Sequence, residues 1–119
     1  MKIKSSLIRD QFEIEDAHGE TVVIPFTVNI TETALKVRQA KILLGKAQGE
    51  TVADIGRATL ELYRAIFGDD TTQRLFDYYD NDYAALITDT MPYITETLLP
   101  RYQKAWETIV KAKKDLKRD

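Results

Sequence analysis

The sequence predicts an α+β fold: an N-terminal antiparallel β-hairpin or small sheet followed by about five α-helices. Three observations predict it. Gln11-Phe-Glu-Ile-Glu15 alternates polar and apolar residues, the period of a half-buried strand. Thr21-Val-Val-Ile-Pro-Phe-Thr-Val-Asn-Ile30 is rich in β-branched and aromatic residues, which suit a pleated surface. Beyond residue 30 the apolar residues recur at spacings of three and four, the period of a helix packed on one face.

The β element comes first. Asp16-Ala-His-Gly-Glu20 separates the two strands, and Gly19 is free to adopt positive φ in a turn. Pro25 has no amide hydrogen for a ladder, so it belongs at an edge or a bulge. Lys2 to Ile8 offers a third strand. An isolated hairpin is only marginally stable, so the sheet must pack on helices or pair with another subunit.

The helices follow. Asn29 with Glu32 forms a capping box for the first. Its apolar stripe is Val37, Ala40, Leu44 and Ala47; Gly45 weakens it and Gly49 ends it. The second runs from about Thr51 to Phe67, with Val52, Ile55, Thr59, Leu62 and Ile66 on one face. Gly68 suits its C-terminal cap. Asp70 with Gln73 suggests another capping box, opening a short helix through Tyr79. Asn81 or Asp82 caps a longer one, with Tyr83, Ile87, Thr90 or Met91, Ile94 and Leu98 as its stripe. Pro92 predicts a kink or break near Met91. Pro100 opens a final helix, whose apolar contacts are Trp106, Ile109 and Val110, with Leu116 as an outlier.

A chain of 119 residues, 44% of them hydrophobic, fits one domain with a core, with a β element over 1–30 and a helical region over 31–119. The net charge of −2 is unevenly spread: residues 1–100 carry 10 basic and 16 acidic residues, whereas 101–119 carry 7 and 3. A basic helix over 101–119 on an acidic body is therefore a feature of the chain. There is no cysteine, which excludes disulfides and thiolate metal sites. Met1 to Asp10 lacks the long apolar core of a signal peptide. No apolar run approaches the roughly 20 residues that span a bilayer. These point to a cytoplasmic protein with no membrane partner.

The chemistry-bearing residues are few. His18, the single histidine, sits beside Gly19 without a nucleophile or second histidine nearby, and reads as a solvated turn residue. Asp77, Asp80 and Asp82 surround Asn81. They lack the glycine and distal glutamate of a calcium loop and read as a turn with helix capping. Lys111 to Asp119 reads either as a phosphate-binding segment or as a helix end where cations complement the dipole. No phosphate loop, nucleophile elbow or zinc motif is present. The expectation is no enzyme, no catalytic residues, no cofactor and no metal. Phe76, Tyr78, Tyr79, Tyr83 and Tyr93 concentrate aromatic surface at helix junctions, where such residues serve a core or an interface.

Ile66 to Leu86 is the most informative stretch. Ala65-Ile-Phe-Gly-Asp-Asp70, Leu75-Phe-Asp-Tyr-Tyr-Asp-Asn-Asp-Tyr83, Met91-Pro-Tyr-Ile94 and Leu99-Pro-Arg-Tyr102 make residues 55–100 resemble the tail assembly chaperones of long-tailed phages and prophages of Gram-positive bacteria. These are helix-junction patterns rather than a chemical signature. The resemblance implies a non-enzymatic protein of the host cytoplasm that transiently binds the tape measure protein, the long helical chain that sets tail length, or other tail proteins. It also implies a longer form made by ribosomal frameshifting, for which the adjacent Lys113 and Lys114 mark a place. A client helix needs a groove with apolar and aromatic walls, and Phe76, Tyr79, Tyr83 and Tyr93 are the candidate binding residues. Self-association is expected, because the Pro25 strand edge and the aromatic junction lack an evident cover in so short a chain. Two alternatives stand beside this reading. One is a virion structural component, such as a head–tail completion or tail-terminator protein. The other is a small nucleic-acid-binding regulator using the basic C-terminal helix.

Overall fold

A computed structural model describes residues 1–3, 5–47 and 51–117 of the chain. Strands β1 (Leu7–Glu15) and β2 (Thr21–Asn29) form a two-stranded antiparallel sheet. Helices α1 (Ile30–Ala47), α2 (Val52–Phe67), α3 (Asp69–Tyr78), α4 (Tyr83–Tyr93) and α5 (Leu99–Leu116) follow. The α+β class and the order of its parts agree with the sequence reading.

The hairpin is in continuous register from Leu7 opposite Asn29 to Glu15 opposite Thr21. Its loop closes on Asp16, whose carboxylate accepts from the amides of His18 (2.8 Å) and Glu20 (3.0 Å), while Gly19 takes φ 80°. Pro25 faces Gln11 without a bulge. Its carbonyl accepts from the Thr71 hydroxyl at 3.3 Å, so the side of Pro25 that lacks a donor faces α3 rather than β1. The Arg74 guanidinium lies 3.5 Å from the Val23 carbonyl on the same edge. Helix α3 thus covers the β2 edge that the sequence left bare, and β1 is the open edge. Among the described residues Lys2 to Ile8 makes no third strand. Leu7 and Ile8 open β1 instead, and the ladder finishes with the Ile30 amide on the Ser6 carbonyl at 3.1 Å.

Asn29 caps α1 as its spacing demands: its side-chain oxygen accepts from the Glu32 amide and its amide group donates to the Glu32 carboxylate, each at 3.1 Å. Gly68 closes α2 at φ 82°, donating to the Arg64 carbonyl. Asp82 opens α4 by accepting from the Ala85 amide at 3.1 Å. The expected Asp70–Gln73 box is not the start of α3. That helix begins at Asp69, directly after Gly68, with no side-chain cap, and Gln73 reaches forward to Asp77. The loss of side-chain capping is compensated by Asp69 and Asp70, whose charges complement the dipole of the first turn. Gly49, expected to end α1, lies outside the described residues.

The expected break near Met91 does not occur, and among the described residues α4 and α5 are two pieces of one continuous helix, giving four helices rather than five. Helix α4 passes through Pro92 and a π turn, Ile94–Leu98, into α5 without interruption. Pro92 is exposed, so the carbonyl deprived of its donor faces water. The Thr95 hydroxyl also donates to the Met91 and Pro92 carbonyls (3.2 and 3.3 Å). Pro100 causes the π turn. In a regular helix its ring would press on the carbonyl four residues back. Here the Leu99 amide reaches the Ile94 carbonyl, widening the turn by one residue just before the ring.

One apolar core joins these elements. Ile24, Phe26 and Val28 of the sheet face meet Val37 of α1, Leu62, Tyr63 and Ile66 of α2, Leu75 and Phe76 of α3, and Leu86, Ile94 and Leu98 of the long helix. Thr72 is buried, and its hydroxyl finds no partner among the described residues.

Candidate functional site

The four aromatic residues singled out in the sequence divide between two places. Phe76, Tyr79 and Tyr83 meet where α3 turns into α4. The turn requires Asp80 and Asn81 at positive φ (54° and 61°), a conformation these short polar residues tolerate. Phe76 is 3% exposed and packs edge-on against Tyr83 at 5.1 Å, so it is a core residue. Tyr83 is half-buried. Tyr79 donates to the Asp89 carboxylate at 2.8 Å and packs against Tyr78 at 5.0 Å. Burial, then that hydrogen bond, pushes the Tyr79 hydroxyl up from its usual pKa. Tyr93 lies elsewhere, on the sheet face, with Phe12 at 5.7 Å and Phe26 at 5.8 Å. The four side chains therefore do not line one groove.

Gly56 explains how Tyr83 is held. This glycine is buried within α2, and the Tyr83 ring lies across it; a Cβ there would stand 2.7 Å from a ring carbon. Gly56→Ala is expected to destabilise the protein by about 1–2 kcal/mol. The gain of about 1 kcal/mol in helix propensity is outweighed by displacing Tyr83 from Phe76. Thermal unfolding measures the loss, and an unchanged or higher midpoint would show that the ring is not clamped.

A groove that the sequence reading did not identify runs between α1 and α5. It encloses about 460 Å³ and is lined by Ala34, Val37, Arg38, Lys41 and Ile42 of α1 and by Leu99, Tyr102, Gln103 and Trp106 of α5. A second concavity of about 360 Å³ continues past Trp106 over Val110, Lys111 and Lys114. The first turns of α5 fix the groove. Thr33 donates to the Asn29 carbonyl (2.7 Å), so its hydroxyl accepts from Tyr102 (2.7 Å). Arg101 donates to the Ser5 carbonyl at 2.8 Å. Burial raises the Tyr102 hydroxyl above its usual pKa. The Arg38 guanidinium sits 4.4 Å over the Trp106 ring, a cation–π contact.

The walls remain partly apolar and open. Ile42 is 52% exposed, and Trp106 and Val110 are only half-buried. Leu35 and Leu43 on α1 and Ile109 and Leu116 on α5 are exposed as well. Arg38, Lys41, Lys111 and Lys114 form no ion pair among the described residues. The α1–α2 side is different: there Arg64 pairs with Glu61 and Asp69, and Arg57 with Asp54. On α1 the only signal for the groove was Ile42, an apolar residue offset from the stripe of Val37, Ala40 and Leu44.

No group of three or more potential metal ligands is assembled among the described residues. Asp82 is used as a helix cap, and Asp77 accepts from Gln73. No described helix is long and apolar enough to cross a membrane. Comparison of the chain with family models, curated proteins and solved structures finds no match in any of the three.

Proposed function

We propose that the chain is a non-enzymatic assembly chaperone that binds the tape measure protein during phage tail morphogenesis, in the cytoplasm of the bacterial host. The resemblance over residues 55–100 supplies the context. The observation that carries the reading is the open α1–α5 groove, in which Ile42, Trp106 and Val110 present apolar surface that the chain's own described residues cover only in part. A surface of this kind suits a helix laid into a groove. Co-expression with the long helical protein encoded just downstream tests it. The expected result is that the client stays soluble and co-purifies with this chain. An insoluble client, with this chain present instead in mature particles, would overturn the reading in favour of a virion component.

Self-association belongs to the same reading, through a different edge from the one the sequence suggested. The outward groups of β1 are those of Arg9, Gln11 and Glu13, because the even-numbered residues pair with β2. Antiparallel pairing of two β1 strands about Gln11 sets Arg9 opposite Glu13 of a second copy, and Ile8 opposite Ile14. Opposite charges facing across strands stabilise a pair by roughly 0.2–1 kcal/mol each. Light scattering is expected to give a dimer that Arg9→Glu dissociates. A monomer across a wide concentration range would refute it.

A further inference from the structure

We infer that the α1–α5 groove takes an acidic amphipathic helix of a partner protein, its apolar stripe on Ile42, Leu99, Trp106 and Val110 and its carboxylates against Arg38, Lys41, Lys111 and Lys114. As a statement about the tape measure client this rests on the chaperone reading; as a statement about the groove it stands on charge and shape.

Two parallel ridges of side chains with a furrow between them form a seat for a third helix. The lining from Leu99 to Lys114 extends for roughly 22 Å along α5 at about 1.5 Å per residue, walled by α1 as far as Trp106 and by α5 alone beyond it, which matches an occupant of about four turns. The charged lining comprises four cations, Arg38, Lys41, Lys111 and Lys114, and one carboxylate, Glu107. The chain is acidic overall, so this imbalance is local. An occupant with carboxylates flanking its apolar stripe neutralises the excess, whereas a basic one is repelled. Nucleic acid satisfies the cations but makes no use of Ile42, Leu99 and Val110, which line the groove beside them. The apolar part of the lining therefore favours a protein helix over a phosphate backbone. Arg38 is already placed on Trp106, which holds a cation in the groove without a carboxylate partner among the described residues.

The chain carries its own reporter, because Trp106 is its single tryptophan. The full chain is titrated with a tryptophan-free helical peptide of about 15 residues, with leucines at helical spacing flanked by glutamates. A matched peptide carries lysines instead. The expected result is a saturating blue shift of Trp106 emission with the acidic peptide, weakened by salt, and binding of the basic peptide at least about tenfold weaker. The double variant Lys41→Glu, Lys111→Glu leaves Arg38 on Trp106 and is expected to reverse the preference, with circular dichroism confirming that it folds. Equal binding of the two peptides, binding without a Trp106 response, or a tighter response to a short oligonucleotide would each overturn the proposal. Co-expression separates the two readings. A double variant that rescues the client as well as the wild type would overturn the groove and leave the chaperone reading standing. Failure of the wild-type chain to rescue the client would overturn the chaperone reading and leave the peptide result intact.

Discussion

Tyr63→Ala is expected to cost roughly 3–5 kcal/mol of stability, the range for deleting a large buried ring. Tyr63 is fully buried at the meeting point of α2, α3 and α4. Its ring lies 5.9 Å from Phe67 and 6.4 Å from Phe76, and its hydroxyl is 2.6 Å from that of Thr90. Thr90 donates to the Leu86 carbonyl at 2.6 Å, which leaves it as acceptor for Tyr63. Truncation would remove the ring contacts, open a cavity and leave Thr90 without this partner. Domains of this size are stable by only about 5–15 kcal/mol, so the loss is a large fraction of the total. Urea unfolding measures it. Tyr63→Phe separates the terms: it keeps the ring and is expected to cost about 1 kcal/mol. A cost for the alanine variant no greater than a surface change would mean that the three helices do not meet on this ring.

Alkaline pH is expected to destabilise the protein between about pH 10 and pH 12. Burial pushes the Tyr63 hydroxyl up from 10.0 to about 12, tempered by Thr90, whose hydroxyl can turn to donate to the phenolate. Burial also raises Tyr79, Tyr93 and Tyr102; Asp89 adds to the first and the Asp10 charge to the second. A pKa higher in the folded state than in the unfolded one favours the protonated folded chain. That stability is complete below the unfolded value and is lost as pH rises through the folded one. For Tyr63 alone, two pH units correspond to roughly 3 kcal/mol. Denaturation midpoints should therefore be flat up to about pH 10 and fall beyond it, with tyrosinate absorbance rising as the chain unfolds. An undiminished midpoint at pH 12 would show that Tyr63 is not sealed from water.

The parts of this structure legible in the sequence are those fixed by local chemistry. The alternation in Gln11–Glu15, the Asn29–Glu32 box and Gly68 each carry their signal within a few residues. What was not legible depends on contacts distant in sequence. Pro25 marked an edge correctly, but only Thr71 and Arg74, across the fold, show that α3 covers it. Pro92 predicts a break by its own geometry, yet its exposure and the adjacent π turn let the helix continue. Tyr102 is buried because Thr33 waits on α1, a pairing that no periodicity announces. The aromatic run was rightly marked as rich in packing surface, but Phe76 is consumed by the core and Tyr93 by the sheet. The α1–α5 groove arises only when two helices far apart in the chain are brought side by side.

The clasp formed by Tyr102 on Thr33 and Arg101 on Ser5 is expected to close late in folding. The hairpin, α1, α2 and α3 can form from neighbours in sequence, whereas α5 must return across most of the chain to reach α1. Loop-closure entropy makes that return a late event. Synthesis orders the steps in the same way, because α1 leaves the ribosome several seconds before α5 at ordinary rates of elongation. During that interval Ala34 and Val37 lack the side chains that later cover them. Interactions made after the transition state govern the rate of unfolding more than the rate of folding. Loosening the clasp would thus shorten the lifetime of the native state while leaving the speed of its formation almost untouched.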